Sequence, residues 1–558
     1  MKKGSLGQSV VNALNTLSSN KAAKYTTYLS AVALFFGLIL LPPIIGIIMK
    51  GGTIQQVFDQ PWLMNRALTA IGNSFIIAGI VSALDLLAGI PMAWIITRGK
   101  SKWLNALDTL IDIPIIVPTA ALGYSLLLFW SSTQGVSSLF NGSLISPGWL
   151  LVMLLHFTFS YPVVVRVLVG ALLDYKMEFE RASRTLGAVP LVAFRTVTSP
   201  ILRPAFITAF VLSFARSLSE TGATFIVAGA FETGPVFIQN MKNQFSISDP
   251  LLYQGAAVFT STILIVTSCT IFALIWIFGP RLKFPFKSIW PKAERNLSYS
   301  KAAWSRNAIT ILVFIVIVLI PALYVALPAF QAVLSGVLLD ALRGSGIWGE
   351  YWKSLFVSYS LGAIVTALGF ILGLPMAILI ARKKLGKSLS AMLDVLVNIP
   401  LIVPSIALGV SLSFFWKESF PFIPEMILLI FAHLAITYPY IVKSMSSALE
   451  RISIDTEEAA RTLGAKPFNV FKTIVFPLAK YSILSGAILV FTRSVGETGA
   501  TVAVVTNLKT VPVLLVDWVK GVVPATPLEI GLGAGILVLL SFIILFSLRL
   551  LTRGKGRY

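Results

Sequence analysis

The chain has 558 residues, of which 56% are hydrophobic and only 12% charged. A soluble domain carries roughly twice that charged share, so a soluble enzyme or soluble binding module is excluded. The formal net charge of +21 would suit a nucleic-acid binder, but the basic residues fall in short clusters between apolar runs, as in cytoplasmic loops under the positive-inside rule.

Apolar runs long enough to cross a bilayer as helices recur from end to end. The first, near Tyr28 to Met49, is too long for a signal-peptide core and no small-residue cleavage site follows it, so it reads as a retained span. Spans are expected near 27–49, 71–97, 107–131, 148–172, 201–229 and 252–279, then near 307–333, 354–381, 390–415, 424–448, 478–506 and 530–552. The expected fold is an all-α membrane protein with twelve transmembrane helices. With the N-terminus in the cytoplasm, 32 of the 44 basic residues lie in inner segments and eight in outer ones. That asymmetry predicts a multi-pass protein of the cell membrane with both termini cytoplasmic. The single Cys269 lies inside an apolar run, so no intrachain disulfide is available.

The chain repeats itself at a shift of 277 residues. Arg184-Thr185-Leu186-Gly187-Ala188 returns as Arg461-Thr462-Leu463-Gly464-Ala465, with Pro200 and Pro477 thirteen residues beyond each glycine. The same shift carries His156 onto His433, Tyr161-Pro162 onto Tyr438-Pro439, and Glu220-Thr221-Gly222-Ala223-Thr224 onto Glu497-Thr498-Gly499-Ala500-Thr501. A unit of this size is a duplicated domain. Residues 1–279 form the first six-helix repeat, 280–306 a basic cytoplasmic linker, and 307–558 the second repeat. An even number of spans per half makes the repeats parallel, about an axis along the membrane normal. The linker holds Pro285 and Pro291; a tether near anionic lipid is favoured over a docking patch.

Polar and helix-breaking residues inside the spans mark a candidate pathway. The third spans carry Pro114 with Pro118 and Pro400 with Pro404, which bend a helix and free backbone groups that must face protein or a watery cavity. A packing kink and a pathway-lining bend fit equally. The two histidines make an incomplete metal site, so no metal is expected, and each reads as a satisfied polar residue between helices. Arg216 with Glu220 and Arg493 with Glu497 are spaced i, i+4 on one face of the fifth spans. They lie roughly 22 to 28 Å along the helix, where ionisable groups normally face a bundle interior. A gate, with Thr221 and Thr498 beside it, and a purely structural pair both remain open. Asp85 in the second span has no acidic counterpart.

Between the fourth and fifth spans of each half lies a long cytoplasmic loop. In the second copy Asp455, Glu457 and Glu458 open a short helix, Arg461 follows, and Gly464 ends it, matching charge to the helix dipole. Ala459 and Ala460 leave a smooth face for a partner. Glu458-Ala459-Ala460, three residues, Gly464 and then Pro477 thirteen residues on resembles the EAA loop of permease subunits of binding-protein-dependent ABC importers. The resemblance covers nearly the whole chain. It implies a type I importer permease in which each loop forms a coupling helix seated on a cytoplasmic ATPase. The first copy departs from the motif: Glu180 aligns with Glu457, Arg181 stands where Glu458 does, and Ala182 and Gly187 are kept. Glu-Thr-Gly-Ala-Thr is similar to a segment of molybdate, tungstate, sulfate and phosphate permeases, whereas fusion of both halves looks like ferric iron and thiamine permeases. Substrate identity therefore stays open among these.

Ala381 through Ser388 imitates a phosphate-binding loop, but no strand is expected before it, and the first copy lacks the pattern. The chain is therefore expected to be a transport subunit, not an enzyme, binding no cofactor. The resemblance implies two copies of an ABC ATPase that hydrolyses ATP, an extracytoplasmic solute-binding protein, surrounding lipid, and no nucleic acid. The alternative is an ion-coupled secondary transporter with two six-helix repeats.

Overall fold

The computed structural model describes residues 6–99, 101, 103–132, 135–140, 142–281 and 290–552. Among these residues every regular element is helical. Nine helices are long and apolar enough to cross a membrane, and three bent pairs raise the number to twelve. In the first half they are Lys21–Met49, Pro61–Arg98, Leu104–Ile116 with Thr119–Trp130, Trp149–Asp174, Pro190–Ile201 with Arg203–Ser219, and Pro250–Ile275. In the second half they are Ser300–Leu334, Trp348–Ala381, Lys387–Ile402 with Ser405–Ser419, Glu425–Glu450, Pro467–Val495 and Pro527–Ser547. Each expected span meets one of these.

The third spans are sharply broken, by 105° and 103°. The cause is local. A residue before proline is pushed out of the helical region, and Val117 and Val403 are extended, with ψ of 122° and 131°. Pro118 and Pro404 then start new helices, as a residue without an N–H can.

The fifth spans depart from expectation. They do not run unbroken to 229 and 506. The helices stop at Ser219 and Val495, and short helices Gly222–Val227 and Gly499–Val504 follow. Glu220 is extended, with ψ of 129°, so it and Arg216 do not share one continuous helical face. Apolar residues stand on both sides of each break, Phe214 and Phe225 around the first, and no proline marks it, so it is hidden from a reading of span hydropathy.

The halves are intertwined. Phe35 of the first span stacks on Tyr438 of the second half, ring centroids 5.7 Å apart. A Cβ on Gly46 would stand 1.9 Å from the carbonyl oxygen of Ser411, so only glycine permits that approach. Reciprocally, Phe314 stacks on Tyr161 at 6.1 Å, and Ser125 Oγ donates to the Pro321 carbonyl at 2.6 Å. Each half's hydrophobic core therefore takes in the other half's first span.

Helices preceding the first spans extend this exchange. Leu6–Ser19 lies on Pro467–Val470 of the second long loop, where Asn15 Nδ2 donates to Asn469 Oδ1 at 2.8 Å and Asn15 Oδ1 accepts from the Asn469 N–H at 3.1 Å. In the linker, residues 282–289 lie outside the described residues. Beyond them the linker is not a free tether: Pro291–Leu297 docks on the first long loop, with Glu294 paired to Arg195 at 2.8 Å and Ser298 Oγ accepting from the Leu191 N–H.

Candidate functional site

Four broken helices meet at the centre of the molecule. Where the fifth span stops, its last carbonyls lose their helical partners and must be satisfied inside protein. The other half supplies the donors: Ser405 Oγ donates to the Ser219 carbonyl and Thr119 Oγ1 to the Gly496 carbonyl, each at 3.2 Å. Thr119 and Ser405 directly follow Pro118 and Pro404. The third-span break of one half thus completes the fifth-span break of the other. The short helices pack just as closely: a Cβ on Gly123 would meet Ala223 backbone at 3.0 Å, and one on Gly409 would meet Ala500 Cα at 2.7 Å.

The carboxylates serve these breaks. Glu220 Oε1 accepts from the Ala223 N–H at 3.3 Å, and Glu497 Oε1 from the Ala500 N–H at 3.0 Å, capping each short helix. The second oxygen turns to an arginine. Glu220 Oε2 lies 3.5 Å from Arg216, whereas Glu497 and Arg493 are in tight contact. Arg216 also stands over the Phe159 ring, 5.0 Å from its centroid, a favourable cation–π distance. Arg493 and Glu497 both lie within electrostatic range of Arg216, so the four charges form one cluster about the axis. Thr221 and Thr498 are buried at the cross-half contact itself.

The histidines bridge the breaks. His156 Nδ1 pairs with Ser217 Oγ at 2.7 Å before the break, and Nε2 with Thr224 Oγ1 at 2.8 Å after it. His433 does the same with Ser494 and Thr501, at 2.9 Å each. Both ring nitrogens are occupied, so the rings are satisfied packing groups that hold the two helical pieces in register. Asp85 is fully buried and accepts from Ser160 and from Ser213, the latter at 2.6 Å. It belongs to the first half's internal packing. Among the described residues no three His, Cys, Asp or Glu gather as metal ligands would.

The segments at the two breaks are closed off from solvent. Every residue from Ser217 to Thr224 and from Ser494 to Thr501 is buried. The side chains of Arg216 and Arg493, one step back along each helix, retain 21% and 14% exposure. Arg216 and Arg493 are therefore the less enclosed charges of the cluster, against 3% for each glutamate.

The long loops fold alike in both halves. Helices Met177–Thr185 and Ile454–Thr462 end at Gly187 and Gly464, whose φ values of 91° and 85° are left-handed. Glycine suits such a C-terminal cap, and the next N–H groups close it: Ala188 to the Ser183 carbonyl and Ala465 to the Ala460 carbonyl. Glu457 turns inward, pairing with Arg382 at 2.5 Å and tying the loop to the end of the second span. Glu180 occupies the matching buried place. Glu458 and Ala459 are exposed, as are Arg181 and Ala182, while Ala460 is half-buried. Leu186 and Leu463 are each 89% exposed beside their glycines. Two equivalent apolar knobs and two small-residue faces thus stand open to a partner. Ala381–Ser388 has a helix before it and Lys387 begins another, with no strand among the described residues, so it is a loop.

Thr119, Ser405, Ser217 and Ser494 escaped the sequence reading, and Thr224 and Thr501 entered it only as part of the repeated segment. A hydroxyl residue directly after the break-making proline in both halves was the available signal.

The family model described as "Binding-protein-dependent transport system inner membrane component" matches residues 86–284 and again 369–554. The chain is similar to the sulfate transport system permease protein CysT of Salmonella typhimurium, 35% identical over 212 residues, covering 37% of this chain and 75% of that protein. It is also similar to the molybdate/tungstate transport system permease protein WtpB of Methanocaldococcus jannaschii, 26% identical over 257 residues, 46% of this chain and 95% of that protein. A probable sulfate permease of Nephroselmis olivacea matches at 28% over 262 residues, 46% of this chain and 90% of that protein.

Proposed function

The chain belongs to the family of inner membrane components of binding-protein-dependent transport systems, and from that premise we propose that it is the permease of an ABC importer for a tetrahedral oxyanion such as sulfate, molybdate or tungstate. Its two six-helix repeats do the work of two permease subunits. An extracytoplasmic binding protein delivers the anion to the outer face. Two copies of a cytoplasmic ATPase engage the loops around Met177–Thr185 and Ile454–Thr462, and ATP binding draws the loops together and tilts the halves so that the pathway opens outward. Hydrolysis resets it inward.

The observation that carries the anion reading is the position of Arg216 and Arg493. Of the four charges at the breaks they are the less enclosed, with 21% and 14% exposure against 3% for each glutamate. The half-helices Thr119–Trp130 and Ser405–Ser419 start there too, and a helix N-terminus carries partial positive charge. Oxyanion permeases among the relatives support the same class. A ferric cation would meet like charge at this point, and thiamine has only the fused architecture in its favour. In this reading Pro118, Pro404, Glu220, Thr221, Glu497 and Thr498 form the gate on which the arginines sit.

The test is reconstitution of the chain with its ATPase and binding protein in proteoliposomes. ATP-dependent uptake of labelled sulfate, molybdate or tungstate is expected. Uptake of iron or thiamine alone would overturn the substrate class. Gradient-driven uptake by the chain without any ATPase would establish the ion-coupled alternative.

A further inference from the structure

After each short helix comes another helix, Gly234–Phe245 in the first half and Val511–Val519 in the second. Both pack over the other half: the first on Ser405–Ser419 and Gly499–Val504, the second on Thr119–Trp130 and Gly222–Val227. Each ends near a lysine that crosses between halves. Lys242 Nζ donates to the Val502 carbonyl and, at 3.2 Å, to the Val505 carbonyl. Val502 lies in the last turn of the second half's short helix and Val505 directly follows it, where carbonyls lack helical donors. Lys520 Nζ lies 4.6 Å from the centroid of the Phe225 ring on the first half's short helix. Phe225 and Val502 are equivalent under the 277-residue shift, and Lys242 and Lys520 match to within one position.

Neither lysine has a carboxylate partner among the described residues, whereas Lys50, Arg66 and Lys509 are paired to Glu418, Glu232 and Asp517. A carbonyl pair and a ring face satisfy a cation only while the halves are together. We propose that Lys242 and Lys520 are paired latches on the outer side of the seal which, once the halves part, become the first contacts for the incoming oxyanion. The latch holds the outer end closed through contacts that exist only across the interface. Opening frees two ammonium groups on the path toward Arg216 and Arg493. An unpaired cation at the mouth of a low-dielectric cleft raises the local concentration of an anionic solute. The inference rests on the oxyanion-importer reading given above.

The test uses the complete complex in proteoliposomes. In a Cys269→Ser background, Lys242→Cys with Thr506→Cys is treated with a thiol cross-linker about as long as a lysine side chain. Cross-linking is expected without nucleotide and lost when the ATPase is trapped with ATP and vanadate. Lys242→Met should lower uptake at limiting sulfate or molybdate about tenfold and raise ATPase activity in the absence of binding protein, while Lys242→Arg keeps uptake near the wild type. Cross-linking that persists in the trapped complex overturns the latch. Unchanged uptake in Lys242→Met combined with Lys520→Met overturns the anion contact. If the wild-type complex shows no oxyanion-stimulated ATPase activity, the importer reading itself fails, separately from the latch.

Discussion

Gly222 meets Thr498 of the other half with no room for a methyl group: a Cβ there would stand 2.1 Å from the threonine Oγ1 and 2.5 Å from its Cβ. The reciprocal pair is nearly as tight, with a Cβ on Gly499 falling 2.6 Å from Thr221 Oγ1. The seal is thus a backbone-to-side-chain contact between equivalent segments. Gly222→Ala should force the halves apart, costing about 1–3 kcal/mol as overpacking does. Its ATPase should run without binding protein. Adding Thr498→Gly, which removes both the Oγ1 and the Cβ, should recover part of the stability. A melting temperature equal to wild type in Gly222→Ala would show that the segments separate freely.

The charge pairs should behave unequally. Arg493 and Glu497 are in tight contact, while Arg216 and Glu220 are 3.5 Å apart. Breaking a buried pair costs about 3–5 kcal/mol because one charge is left uncompensated. Glu497→Gln should therefore destabilise the detergent-solubilised protein more than Glu220→Gln. Arg493→Gln with Glu497→Gln should recover most of the loss yet still impair uptake. Recovered stability with normal uptake would make the pair structural only.

Coupling predictions follow from which acid points where. Glu457 is engaged with Arg382, and Glu458 is exposed. Glu458→Lys should weaken ATPase docking, and more so than Arg181→Glu, since only the second loop presents an exposed acid at that position. Gly464→Val should uncouple as well, because its φ of 85° is strained for a β-branched residue. Binding-protein-stimulated ATPase activity is the readout. Activity like wild type in all three variants would remove the docking assignment.

The sequence made the repeat legible, and with it the arginines, glutamates and histidines, because one shift carries them all. It did not reveal the break at Glu220, since no proline marks it and apolar residues continue on both sides. The exchange of first spans was equally hidden. An apolar helix face states that it needs cover, not which half provides it. The third spans follow a shift of 286, from Pro118 to Pro404, instead of 277, so their prolines are legible in both halves but lie outside the common register. Lys242 and Lys520 are two of the eight basic residues of the outer segments, and nothing in their sequence shows that their helices pack over the opposite half.

Lys242 gives a pH signature. Burial, helped by the charge of Lys417 and opposed by Glu425, pushes its ammonium down from 10.5 to about 8. Between those values the unfolded chain binds more protons than the folded one, so stability rises with pH across that window. Below pH 8 both states are protonated and the burial penalty is present in full. The slope of thermal stability between pH 8 and 10 should be shallower in Lys242→Met. An identical slope would mean that the amine is not held at that value.

Topology is checked by labelling. Ser146 and Thr473 are both exposed and lie on opposite sides of the proposed membrane. With cysteine at each in a Cys269→Ser background, a membrane-impermeant thiol reagent on intact cells should label position 146 only. Labelling at 473 would invert the orientation.

The exchange of first spans also bears on biosynthesis. Phe35 waits for Tyr438, which is made 403 residues later. At about 5–20 residues per second, that is a delay of roughly 20 to 80 s. Until then the Gly46 surface of the first span has only lipid, or the insertion machinery, to cover it. The first half cannot reach its final form while it is nascent. The first span reaches its packed place only after the tenth has entered the membrane, so a stall or truncation before Glu425–Glu450 strands the first half.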